Sequence, residues 1–454
     1  MDRSSSVSRI ATATTPLIGS VYDRTWSYVA FVWLGLGTVL PFNFFITADP
    51  YFRHKLHDQS TPNISMSRLE LYYENSVTIC ASFTNLMTAI LVTFICVPYI
   101  HKYRIYTSLC GITICLAACL SLTFVNVKKW REIFFAITMI LVMIQSVCST
   151  TLLNCFFSLA STLPSRYIQG FVSGQALGGV FVVTCSIISI LVSSNISTSA
   201  SIYFLLAILV IISNIIVYSF LERTHLFQIY SSAVQEINNE HEAFFHESSS
   251  YNDDDGNSFN ITSLVVRQRL SLAYKHVKWN FFGLFLTFVS TLSLFPAYLA
   301  KIQPAYPSID HLNPLWTVRL YAQVMTFLLF YIGDTFGRIL SSKINKPSME
   351  HPRLLFFICL ARFLFIILFG FCHFPNTNGF PYIFKYDAIY AILVLTFAIS
   401  HGYCNSLNLM YAPRRVHAQL SSTVGALMTM ALTMGTFIGS ILSYGIVTMY
   451  GDST

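Results

Sequence analysis

Residues 200–221 read ASIYFLLAILVIISNIIVYSFL, twenty-two positions without a charge. A helix needs about twenty apolar residues to cross the hydrocarbon core of a bilayer. Ten further blocks of similar character flank this one, and the eleven predicted spans lie near 26–47, 76–98, 104–126, 133–160, 168–193, 200–221, 280–300, 316–342, 353–373, 385–408 and 422–449. Immediately after the quoted block the chain turns polar and stays so through 222–279. That interruption divides six spans from five.

The composition agrees. The 454 residues are 54% hydrophobic and 10% charged, with a mean hydropathy of +0.59. Soluble domains run near 25% charged, so no charged shell exists here to wrap one apolar core. A cytosolic enzyme, a secreted disulfide scaffold and a disordered regulator are excluded, leaving an all-α polytopic membrane protein. The net charge of +7 reflects basic residues beside apolar blocks, which reads as positive charge held on the cytoplasmic side and not as a nucleic-acid surface. The eleven cysteines lie almost wholly inside apolar blocks, without a paired Cys-x-x-Cys spacing, and read as small buried residues.

The balance of Lys and Arg between alternate loops places the N-terminus in the cytoplasm, which puts the C-terminus outside. Three regions follow: an N-terminal half at 1–221, a polar cytoplasmic linker at 222–279, and a C-terminal half at 280–454. The sequon at Asn63 stands clear of the membrane in the first outside loop and is the expected glycosylation site. Within the linker, His241-Glu242 and His246-Glu247 are spaced by five and not four, so no zinc signature forms. No metal or cofactor is expected.

Charge inside a bilayer is costly and marks function. The run YIGDTFGR (331–338) puts Asp334 and Arg338 four apart, on one helix face where they can neutralise each other. Two readings stay open at this point: an ion pair stitching helices together, or a polar face offered to a hydroxyl-rich solute. In the first span, Pro41 frees a backbone carbonyl, and Asn43 follows two residues later. The fifth span carries Gly174, Gln175, Gly178 and Gly179, and the eleventh carries Gly435 and Gly439. Both sets have the small-residue spacing that brings helices close and suits rocking motion. Asn154 in the fourth span and His401 in the tenth are further polar candidates, His401 being the one for pH sensitivity. No Walker A, hydrolase or kinase signature appears. The chain reads as a carrier and not an enzyme.

These motifs together resemble one family. GTVLPFNFFITADPYF (37–52), LPSRY and SGQALGG (163–179), FPA (295–297), GDTFGR (333–338), LAR (360–362), HGYCNSL (401–407) and APRRV (412–416) follow the order found in the equilibrative nucleoside transporters. The resemblance implies a fold like the major facilitator superfamily, six plus five helices around a central cavity. It further implies facilitative, sodium-independent transport of purine and pyrimidine nucleosides by alternating access at the plasma membrane, with no nucleic acid polymer and no obligatory protein partner. On the family pattern Asp334 and Arg338 bind the ribose hydroxyls, and Val39, Phe42 and Ile46 line the wall of the first span. Two departures stand out. The family's tryptophan is Phe42 here, and its base-contacting glutamine aligns with Leu153, next to Asn154. A proton-coupled nucleoside or nucleobase carrier, or a carrier of another small polar solute, is the alternative.

Overall fold

A computed structural model describes residues 21–47, 49–56, 68–94, 102–127, 129–192, 196–225, 227–228, 258–304, 320–372, 383–384 and 386–451. The side chain of Ile46 and the sequon residue Asn63 lie outside the described residues, as does the middle of the polar linker. The helices are α1 (Val21–Thr47), α2 (Asp49–Leu56), α3 (Arg68–Phe94), α4 (Lys102–Thr123), α5 (Arg131–Thr162), α6 (Ser165–Val192), α7 (Ile196–Leu221), α8 (Ser258–Leu292), α9 (Leu329–Lys343), α10 (Pro352–Ala361), α11 (Leu364–Gly370), α12 (Asp387–Arg414) and α13 (Ala418–Gly451). A π-helical segment, Ala322–Leu328, leads directly into α9.

Ten helices among the described residues are long and apolar enough to cross a membrane. The expected span at 280–300 is the one that differs. It begins as the apolar end of α8, whose earlier turns carry Arg267, Arg269, Lys275 and Lys278. The regular helix stops at Leu292, and turns then lead to a short 3₁₀ segment at Leu299–Lys301. Helix thus starts at Ser258, inside the stretch expected as linker. The ninth span also breaks, between α10 and α11, at Arg362 and Phe363.

Sequence explains the local structure. Pro352 opens α10 at its first turn, where a missing N–H costs nothing. Asp387 begins α12 and Arg414 ends it, each opposite in sign to the helix dipole at its end. Hydroxyls within the spans return to their own helix, as Thr138 does to Phe134 O at 2.8 Å and Thr429 to Gly425 O at 3.1 Å. Both hydroxyls are fully buried, and the carbonyl one turn earlier satisfies them without water.

The helices associate in two groups. In the first, α1 packs along α6, and α4 along α5 and α7; in the second, α8 packs along α13, and α9 along α12. Contacts between the groups run from α6 to α9 and α12, and from α13 to α3 and α5. The long pairings depend on glycine. A methyl group at Gly174 would collide with the carbonyl of Val32, and one at Gly35 with that of Phe171. Gly337 meets Ile399 O in the same way, and at Gly435 an added carbon would sit 2.6 Å from Phe285 O.

Gly174→Ala is therefore expected to push α1 from α6 and to cost about 1–3 kcal/mol, the usual range for overpacking. A thermal-stability scan of detergent-purified protein checks this; an unchanged midpoint would contradict the close approach.

Candidate functional site

A cavity of about 230 Å³ lies where the two groups meet, walled by α1, α3, α5, α6, α8, α9, α12 and α13. Its polar centre is the α9 pair. Arg338 Nε donates to both carboxylate oxygens of Asp334, at 3.0 and 3.1 Å, and Nη2 donates to Oδ2 at 2.8 Å. The two side chains are only 3% and 6% exposed. Spacing of four on one helix makes this fork possible, and Gly402 of α12 makes room for it by lying against the backbone of Asp334.

Arg338 also reaches across to the other group of helices. Its Nη1 donates to Val172 O at 2.6 Å and to Gln175 Oε1 at 3.4 Å, both on α6. The remaining end of Gln175 approaches Thr38 Oγ1 on α1 at 3.5 Å. A guanidinium has five N–H donors, and these bonds use four. One Nη2 proton and spare lone pairs on Asp334 remain for a solute. The pair is net neutral, so a neutral solute can enter without stranding a charge.

One turn before Asp334, Tyr331 donates to Asn43 Oδ1 of α1 at 3.1 Å, and its ring covers Gly179 of α6. Flat apolar surface lies alongside. Phe295 and Phe330 stack at 3.9 Å between ring centroids with an 8° interplanar angle, and Tyr331 stands edge-on to Phe295. His401 packs between Phe288 and Phe330 and pairs with Thr291 Oγ1 at 2.9 Å. Behind it, Arg362 is fully enclosed. It donates to Thr287 O, Thr291 Oγ1, Ser400 Oγ and Phe397 O, and lies over the Phe397 ring at 4.9 Å.

Of the residues singled out in the sequence, Val39, Phe42, Asn43, Leu153, Gln175, Asp334, Arg338 and His401 all line the cavity. Asn154 is buried but is not among the lining residues. Adjacent residues on a helix point about 100° apart, so with Leu153 on the wall Asn154 turns away. Pro41 is buried inside α1, while Gly174 and Gly178 seat α6 on α1, and Gly435 and Gly439 seat α13 on α8. Gln175, expected in packing or gating, is a direct partner of Arg338. The sequence reading passed over Gln145, Tyr331, Phe330 and Thr291. The four-residue steps from Gln145 through Ser149 to Leu153 were the signal that could have found the first.

The sequence profile described as "Nucleoside transporter" matches residues 138–448. This chain belongs to the nucleoside transporter family. It is 32% identical to equilibrative nucleoside transporter 2 of Homo sapiens over 450 residues, covering 92% of this chain and 95% of that one. Equilibrative nucleoside transporter 2 of Rattus norvegicus is 31% identical with the same coverage, and equilibrative nucleoside transporter 1 of Homo sapiens 28% identical over 93% and 96%. A crystal structure of a double Trp mutant of XylE superposes with a TM-score of 0.59 at 10% identity, over 95% of this chain and 90% of that one. At that identity the likeness is one of fold, and it gives this nucleoside transporter family member the expected major-facilitator arrangement. The protein is a multipass membrane transporter and not an enzyme.

Asp334→Ala leaves a guanidinium buried without its counter-charge, for which about 3–5 kcal/mol is the expected loss. The neutral double variant Asp334→Asn/Arg338→Gln should lie nearer to wild type than either single change in a thermal-stability cycle. Additive losses would mean that the two groups do not act as a pair.

Proposed function

We propose that this protein carries purine and pyrimidine nucleosides down their gradients by alternating access, independently of sodium, with a cytoplasmic N-terminus, two helical halves joined by the 222–279 linker, and residence in the plasma membrane. The observation that carries the reading is the Asp334–Arg338 fork, neutral overall and still holding an unused donor and unused acceptor sites at the cavity wall. A vicinal diol is the natural complement: one hydroxyl donates to the carboxylate while an oxygen accepts from the guanidinium. The neighbouring Phe295–Phe330 stack suits a flat heterocycle, and the two sites together suit a sugar joined to a base. Val39, Phe42 and Leu153 supply apolar contact, with Asn43 at the Tyr331 end.

Alternating access needs contacts that form in one state and break in another. The bonds from Arg338 to Val172 O and Gln175 join α9 to α6 and fit that requirement, as does the Tyr331–Asn43 bond. Because the carboxylate and guanidinium neutralise each other, a nucleoside can bind without an accompanying ion. The presence of His401 on the cavity wall favours one second reading, proton coupling. Asp334, Arg338, Tyr331 and Arg362 are the other ionisable groups around it.

Uptake of radiolabelled adenosine and uridine by transporter-deficient cells, at pH 7.4 and 5.5 with and without sodium, tests the proposal. Saturable, sodium-independent uptake equal at both pH values is expected. Asp334→Ala and Arg338→Ala should each lower it by about tenfold or more, the effect of losing one charge-assisted bond, at equal surface abundance. Uptake confined to acid would move the mechanism to His401. No uptake with protein at the surface would overturn the substrate class.

A further inference from the structure

Gln145 is 3% exposed and lines the cavity, yet neither its Oε1 nor its Nε2 has a hydrogen-bond partner. One turn further along α5, Ser149 Oγ is also unpartnered and also faces the cavity. Their neighbour Thr150 also lines the cavity but is satisfied, donating to Asn85 Oδ1 at 2.8 Å. Buried amides in folded proteins nearly always find partners. A buried primary amide with both ends empty, turned into a cavity, is a polar group held ready for a ligand.

We infer that Gln145 reads the polar edge of the nucleobase and is a specificity-determining residue of this carrier. The inference rests on the nucleoside reading above. A carboxamide sets one acceptor beside two N–H donors. Nucleobase edges offer the complement in adjacent pairs: a ring nitrogen beside an amino group in adenine, an N–H beside a carbonyl in uracil. Turning the amide over exchanges donor for acceptor, so one side chain serves both. Leu153 stands on the same face two turns along and contributes apolar contact only. The family pattern led to an amide at 153. This chain keeps an amide on the same stripe of α5 but moves it eight residues, roughly 12 Å of helix rise. The base is thereby read from a different height on the wall of the cavity that the Phe295–Phe330 stack also lines.

The test uses the purified full-length protein and two ligands, adenosine and a phenyl C-riboside. The second keeps the ribose and a flat ring but has no polar edge. Binding is followed by ligand-induced thermal stabilisation over a concentration series, with uridine uptake in cells as a parallel control. Wild type is expected to prefer adenosine by about tenfold or more, as sites built to hydrogen-bond a ligand do. Gln145→Leu should lose that preference because the phenyl riboside keeps its affinity and adenosine loses its advantage. Leucine is close to glutamine in size and removes only an unpartnered amide, so folding should survive; Gln145→Met is the second variant if it does not. A preference retained within about twofold in the variant, or absent already in wild type, overturns the assignment to Gln145 while leaving nucleoside transport intact. A wild type that takes up neither adenosine nor uridine overturns both.

Discussion

A guanidinium inside an apolar bundle must be neutralised and bonded on nearly every side, because no solvent will do it. Arg338 meets that demand from two directions. Asp334, one turn earlier on α9, supplies the charge and accepts the Nε and Nη2 protons, while Val172 O and Gln175 on α6 accept those of Nη1. The second set belongs to the other group of helices. A single side chain thus links the polar centre of the cavity to the seam between two bodies. The seam and the cavity share chemistry: whatever loosens Arg338 from α6 also changes what the fork presents to a solute.

Glycine determines how closely this arrangement is held. In each group one long pair of helices runs together through glycines, α1 with α6 by Gly35 and Gly174, and α8 with α13 by Gly435 and Gly439. The α9–α12 pair repeats the device with Gly337 and Gly402, and the latter fits directly behind Asp334. Without a hydrophobic force between helices in lipid, close backbone approach is what drives them together. The groups are joined to each other by apolar contacts such as Phe83 with Phe437 and by polar ones such as the bond between Ser82 and Ser440 at 3.1 Å.

The fold was legible because bilayer physics writes it in blocks of twenty residues. The exception is instructive: α8 carries four basic residues before its apolar end and breaks at Leu292, so the helix starts earlier and stops sooner than the apolar block alone implies. At the site, charge was the readable signal, and Asp334 and Arg338 stand where their four-residue spacing implied. Uncharged polar residues were harder, because they line the cavity or face away according to helix phase. Leu153 and Asn154 are chain neighbours with opposite fates. Gln175 was hidden among glycines whose role is packing, and its bond to Arg338 is a tertiary fact with no local trace. Arg362 was visible as a charge, but its partners are hydroxyls and carbonyls scattered over α8 and α12, which no spacing rule brings together.

The ring of Tyr331 lies against Gly179, where even a methyl group would collide with it. The bare backbone there leaves room for Tyr331 to reach Asn43 of α1. Any larger residue at 179 would push that ring, and because Tyr331 lines the cavity the solute would feel the displacement as well. The fit of α6 against α9 and the shape of the cavity are thus set by one missing side chain, and position 179 cannot change the first without disturbing the second.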